Sequence, residues 1–158
     1  MKTTKEIADQ NIHDNLVNNL QGLLEKNYDA EKGYTKAMKE VKNEQLKEFL
    51  KIQASKRAQF ATELDKKIRN LNEAPQATGT VKGDLHRSWM DVKSLLSQNT
   101  DESILEECIR GEKASLEEYK ETLENNRFPQ EVKQTITDQM SNIQASLTMV
   151  KSLESVVS

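Results

Sequence analysis

Cysteine, proline, glycine and aromatic residues are all scarce in this chain. It has one Cys, two Pro and five Gly in 158 residues, and aromatics make up 4%. The lone Cys108 excludes an intrachain disulfide framework and a cysteine-rich zinc site, and its place on an apolar stripe makes it a small core residue. With so few helix breakers and 31% charged residues, the composition is that of long helices with charged outer faces. No stretch approaches the roughly 18 consecutive apolar residues of a membrane span. Met1-Lys2-Thr3-Thr4-Lys5 runs into polar sequence without the apolar centre of a secretory signal, so the expected location is the cytoplasm. Lys and Arg number 23 against 26 Asp and Glu, with neither sign in a long block, so nucleic acid and membrane surfaces are not expected partners.

What the chain does have is an apolar stripe at helical spacing, four times over. The first helix is expected from about Lys5 to Val41, with Leu16, Leu20, Leu23, Leu24, Asn27, Glu31, Tyr34, Met38 and Val41 on one face. Asn43 caps a second, which turns Leu46, Phe49, Leu50, Gln53, Arg57, Phe60, Leu64, Ile68 and Leu71 inward. From Glu73 to Gly83 the pattern dissolves around Pro75, Gly79 and Gly83, which reads as a linker. A short helix over Asp84–Ser97 follows. Asn99 with Glu102 resembles a capping box that opens a third long helix to about Asn125. Pro129 starts a fourth, striped by Val132, Ile136, Met140, Ile143, Leu147, Val150, Leu153 and Val157.

The chain also repeats itself. Leu24, Glu25, Glu31 and Lys32 recur as Leu105, Glu106, Glu112 and Lys113, each 81 positions later. The second and fourth helices align at a spacing of 86, with Leu46 on Val132, Gln53 on Gln139 and Leu64 on Val150. This is the pattern of a duplicated antiparallel hairpin, its halves joined by a crossover long enough to span the bundle.

Four segments carry a resemblance: Glu31 in the first helix; Lys56-Arg57-Ala58-Gln59-Phe60-Ala61-Thr62-Glu63-Leu64 in the second; Leu85-His86-Arg87-Ser88-Trp89-Met90 after the linker; and Glu107-Cys108-Ile109-Arg110-Gly111-Glu112 in the third. With the order of the helices, they resemble a bacterial family of four-helix-bundle proteins of unknown function in the ferritin-like superfamily. The resemblance spans essentially the whole chain. It implies one all-α domain over residues 1–158: a ferritin-like four-helix bundle whose second-to-third crossover contains a short extra helix. It implies no particular activity.

A ferritin-like two-metal centre takes one Glu from each of two helices and a Glu-x-x-His from each of the other two. Glu31 and Glu112 meet the first requirement. The second fails, because His13 is preceded at three by Gln10 and His86 by Gly83. His13 also lies 18 residues before Glu31, about 27 Å along a helix. Where the second helix would carry Glu-x-x-His it carries Arg57-x-x-Phe60. The expectation is therefore a buried polar cluster of Glu31, Gln53, Arg57 and Glu112, with the Arg57 guanidinium serving both carboxylates. Against it stands an arrangement in which one of these side chains tilts to the bundle edge and is solvated. Tyr28, Tyr34, Tyr119 and Trp89 read as large core residues rather than redox relays, and His86 with Arg87 as part of a docking helix.

No phosphate loop, Ser-His-Asp set or cleft-borne carboxylate pair is present. The expected function is that of a non-enzymatic bundle, structural, stress-associated or partner-binding, with no catalytic residue and no cofactor. Its partner is expected to be a second copy or another protein. The alternative is a store or enzyme holding iron or another divalent metal in a histidine-free carboxylate site, built from Glu31 and Glu112 with Glu25 or Glu107. A bundle that opens to insert an amphipathic face into a partner groove or a membrane is a third reading.

Overall fold

Three of the four long helices begin where a side chain takes up backbone N–H groups that helix geometry leaves unpaired, and the fourth starts behind Pro129 without a side-chain cap. The computed structural model describes residues 1–76 and 100–157. Within them lie α1 (Thr4–Glu40), α2 (Glu44–Arg69), α3 (Asp101–Asn125), α4 (Gln130–Ser152) and the single turn α5 (Glu154–Val157). There is no strand among the described residues. Thr3 and Glu6 form a reciprocal capping box at α1, and Asn43 Oδ1 accepts from Leu46 N at 2.9 Å at α2. The start of α3 differs from expectation. Its cap is Thr100, whose hydroxyl accepts from Ser103 N at 3.1 Å, while Asn99 lies outside the described residues. Thr100 has the extended backbone of a cap, so it is the residue positioned to reach the N–H three places on. The expected helix at Asp84–Ser97 and most of the linker also lie outside the described residues.

Helix directions follow from side-chain pairs. The α1–α2 turn is centred near Lys42, and Arg57, fifteen residues after it, meets Asn27, fifteen before it. Asn27 bonds Tyr119 and Tyr34 bonds Glu112, so α1 and α3 are antiparallel. Gln53 bonds Ser146 and Gln139 bonds the Phe60 carbonyl, so α2 and α4 are antiparallel too. These two contacts interchange under the repeat, since each glutamine reaches the residue seven places beyond the other. The duplication read from sequence is thus a pseudo-two-fold axis in space.

With these directions α2 and α3 run the same way, and the chain must travel back along the bundle between them, a distance of about 39 Å for a helix as long as α2. One end of that crossover is tied to α1 and the other to the α1–α2 turn. At one end Asn72, at φ 63, adopts the left-handed conformation asparagine tolerates; Glu73 N then reaches Ile68 O at 3.3 Å, and its carboxylate meets His13 Nε2 at 2.9 Å. At the other end Asp101 accepts from Lys42 N at 2.9 Å and Asn43 N at 2.6 Å, so the first residue of α3 satisfies the α1–α2 turn.

One apolar cluster draws on all four long helices: Leu20, Leu24, Leu50, Leu64, Ile104, Leu105, Ile136, Ile143 and their neighbours. Each such side chain contributes about 1.5–3 kcal/mol on burial. The stripe ends are less buried than expected. Leu16, Met38, Leu71, Leu123, Leu153 and Val157 pack only partly against the core, since helices run out of partners toward the ends of the bundle, and Met140, in mid-helix, lies at the edge of its stripe. Replacing Asp101 by Ala removes two charge-assisted bonds to backbone N–H groups and is expected to lower stability by about 1–3 kcal/mol, read from urea unfolding.

Candidate functional site

Position 57 falls on the inward stripe of α2 between Gln53 and Phe60, so helix periodicity drives an arginine into the core. Arg57 is 1% exposed and Glu112 is fully buried. The guanidinium donates from one nitrogen to Glu112 Oε1 at 3.1 Å and from another to Asn27 Oδ1 at 3.0 Å. Tyr34 also donates its hydroxyl to Glu112 Oε1. Asn27 donates to Leu23 O and to the Tyr119 hydroxyl, both at 2.8 Å. Tyr119 in turn donates to Gln139 Oε1 at 2.7 Å, and the Gln139 amide donates to Phe60 O at 3.2 Å and Glu63 Oε1 at 3.0 Å. A chain of polar contacts therefore crosses the core from Tyr34 to Glu63 through all four long helices.

Electrostatics match this geometry. Burial alone would pull the Arg57 guanidinium down, but Glu112, with Tyr34 and Tyr119, raises it on balance, so it stays a cation. Burial, then the Glu112 carboxylate, lifts the Tyr34 hydroxyl well above its ordinary range. Burial also pushes Tyr119 up to about 12, with Arg57 opposing. Cys108, one turn before Glu112, is likewise held as an unreactive thiol by burial and by that carboxylate.

Of the four cluster residues expected from sequence, the structure joins Arg57 to Glu112 and separates the other two. Glu31 is half-buried, and its carboxylate makes no hydrogen bond or ion pair among the described residues. Arg57 meets Asn27, one turn earlier in α1, in its place. A neutral amide there avoids desolvating a second carboxylate, which one cation would offset only in part. Gln53 is buried but bonds Ser146 rather than Arg57. Its Nε2, and Oε2 of Glu112, have no hydrogen-bond partner among the described residues. Tyr34, Asn27, Tyr119, Gln139 and Ser146 complete the network. Reflecting the chain about the Lys42 turn would have singled out Asn27, and the 86-residue repeat would have singled out Gln139. His86, Arg87 and Trp89 lie outside the described residues.

The Mycobacterium smegmatis Dps1 protein, solved as a point mutant, has a similar structure, with a TM-score of 0.74 over 91% of this chain and 97% of that one at 13% identity. The fold is therefore that of a ferritin-like four-helix bundle. No curated protein matches the sequence. Residues 15–125 match the family model Domain of unknown function (DUF2383), and the chain belongs to that family.

The fold family brings with it the two-metal centre, and the residues at this level of the bundle do not fit one. The space between α1, α2 and α3 is taken by a guanidinium, which has no lone pair to offer a metal, and by a single carboxylate. Among the described residues, no three or more His, Cys, Asp or Glu are grouped to hold an ion. Of the further candidates, Glu107 pairs with Arg110 on the surface at 2.8 Å.

Two expectations follow. Arg57→Met should cost about 3–5 kcal/mol by leaving Glu112 buried without its cation. Adding Glu112→Leu should recover much of that loss, as measured by chemical denaturation of both variants. The second concerns alkali. Above pH 10 the unfolded tyrosine loses its proton while folded Tyr119 keeps its own to about 12, so the unfolded state binds fewer protons and stability falls across that window. The shift corresponds to roughly 3 kcal/mol. Tyr34 acts in the same direction. Unfolding curves from about pH 9 to 11.5 should show this decline, and Tyr119→Phe should make it shallower.

Proposed function

We propose that this protein is a non-enzymatic member of the ferritin-like fold, in which a buried arginine network replaces the metal ligands and the bundle acts as a structural, partner-binding module. The observation that supports this reading is the Arg57 guanidinium, held by Glu112 and Asn27 at the centre of the bundle. A cation placed there repels a metal ion electrostatically and neutralises the one carboxylate that could attract it. What remains for function is the outer surface. Elemental analysis of protein purified without chelator is the direct test. Iron, zinc and manganese should each fall well below one equivalent after dialysis. Near-stoichiometric metal that survives dialysis would replace this reading with the histidine-free carboxylate site.

A further inference from the structure

The first helix outruns its neighbours. Arg57 against Asn27 sets the end of α2 near residue 15 of α1, and the Asn19–Asn126 bond at 3.1 Å sets the end of α3 near residue 20. Thr4–Asn11 therefore projects about 12 Å beyond the described neighbours of α1, and every residue in it is exposed. The projection and its base carry Ile7 at 50% and Ile12 at 64% exposure, two of the few exposed large apolar side chains among the described residues. An isolated helix of this length is marginal in water, yet this one is completed by a full capping box.

The projection has one uncharged face. Thr4, Ile7, Ala8, Asn11, Ile12 and Asn15 follow each other at spacings of three and four, with Glu6, Asp9 and His13 on the opposite side and Asp14 at the edge beside Ile7. The same face continues toward the body of the protein as one wall of a groove. That groove comprises two adjoining cavities of about 260 and 560 Å³, which share Asn19, Asn125 and Asn126. Its outer end gathers the apolar side chains Ile12, Leu16 and Phe128 beside Asn15 and Arg127. Its inner end is lined by amides and by Glu118 and Glu121, beside Gly22, where an added methyl would meet nothing within 4 Å.

We infer that this groove receives the α1 projection of a second copy of this chain, giving a two-fold dimer in which two α1 helices lie antiparallel about Ile12. Three features favour this occupant. The projection and the groove wall are one continuous face, so each copy offers both halves of an isologous contact. In the antiparallel register Ile7 of one copy falls at the level of Leu16 and Phe128 of the other. The same register carries Lys2 and Lys5 toward the acidic inner end at Glu121, where an opposite charge is waiting. Thr4, Ala8 and Gly22 keep the helices free to approach closely. The dimer does not depend on how the buried core is read.

Sedimentation velocity on the full chain tests the inference, which predicts a concentration-dependent dimer. Ile12→Glu should raise the dissociation constant at least about tenfold while leaving the melting curve of the monomer unchanged. Lys5→Glu should weaken the dimer, and adding Glu121→Lys should restore it. Cys108 is buried, so in the wild-type background Asn11→Cys should cross-link between copies and His13→Cys, at the same level on the opposite face, should not. A wild-type monomer at about 100 µM would overturn the proposal, as would a dimer indifferent to Ile12→Glu or cross-linked equally through His13→Cys.

Discussion

The arrangement of this bundle turns on one ion pair that has no access to water. Arg57 and Glu112 come from helices that run in the same direction and belong to different halves of the repeat, so their meeting fixes how one hairpin docks on the other. A network of buried polar contacts is built on it. Asn27 takes the second donor of the guanidinium, Tyr34 takes the same carboxylate oxygen, and Tyr119 and Gln139 pass hydrogen bonds on to α4. A slip of one turn between the hairpins would strand a charge in the core. Apolar side chains alone impose no comparable penalty, because leucines at i and i+4 are nearly interchangeable in a slipped register.

Such a centre is a poor way to gain stability. Two ions removed from water recover their desolvation only through close pairing, and here Glu112 Oε2 and Gln53 Nε2 still lack partners among the described residues. The compensating gain is selectivity among packings. The wide apolar cluster makes the fold stable, and the ion pair makes one docking of the two hairpins much better than its neighbours. In ferritin-like relatives that bind metal, the ions themselves would tie the helices together. In this chain the cation is covalently part of α2.

The helices, their direction and the duplication were legible in the sequence because they rest on periodicity, on caps such as Asn43 and on repeated residues. The identities of Arg57 and Glu112 as buried partners were legible as well, since a charged residue on an inward stripe must find an opposite charge. Glu31 shows where this kind of reading stops. Asn27 and Glu31 sit one turn apart on the same face, and a stripe does not distinguish positions along the helix axis. Axial level is set by the turn at Lys42 for α1 against α2, and by the crossover for α3, and neither appears in the spacing of apolar residues. The buried Ser146 was invisible for a related reason: its hydroxyl matters only because Gln53 lies opposite.

The two glutamine contacts across α2 and α4 bear on how such a chain could arise. If the repeat descends from a single hairpin that paired with itself, both copies had to carry the same residues, and the two exchanged contacts Gln53–Ser146 and Gln139–Phe60 keep that symmetry in their positions. Arg57 breaks it, because its counterpart at the same spacing is the apolar Ile143. Self-pairing hairpins place an arginine at both positions or at neither. A lone cation at the centre becomes available only after the halves are joined in one polypeptide and can mutate separately. The buried pair would then be the younger layer of this molecule, written over an older and symmetric one.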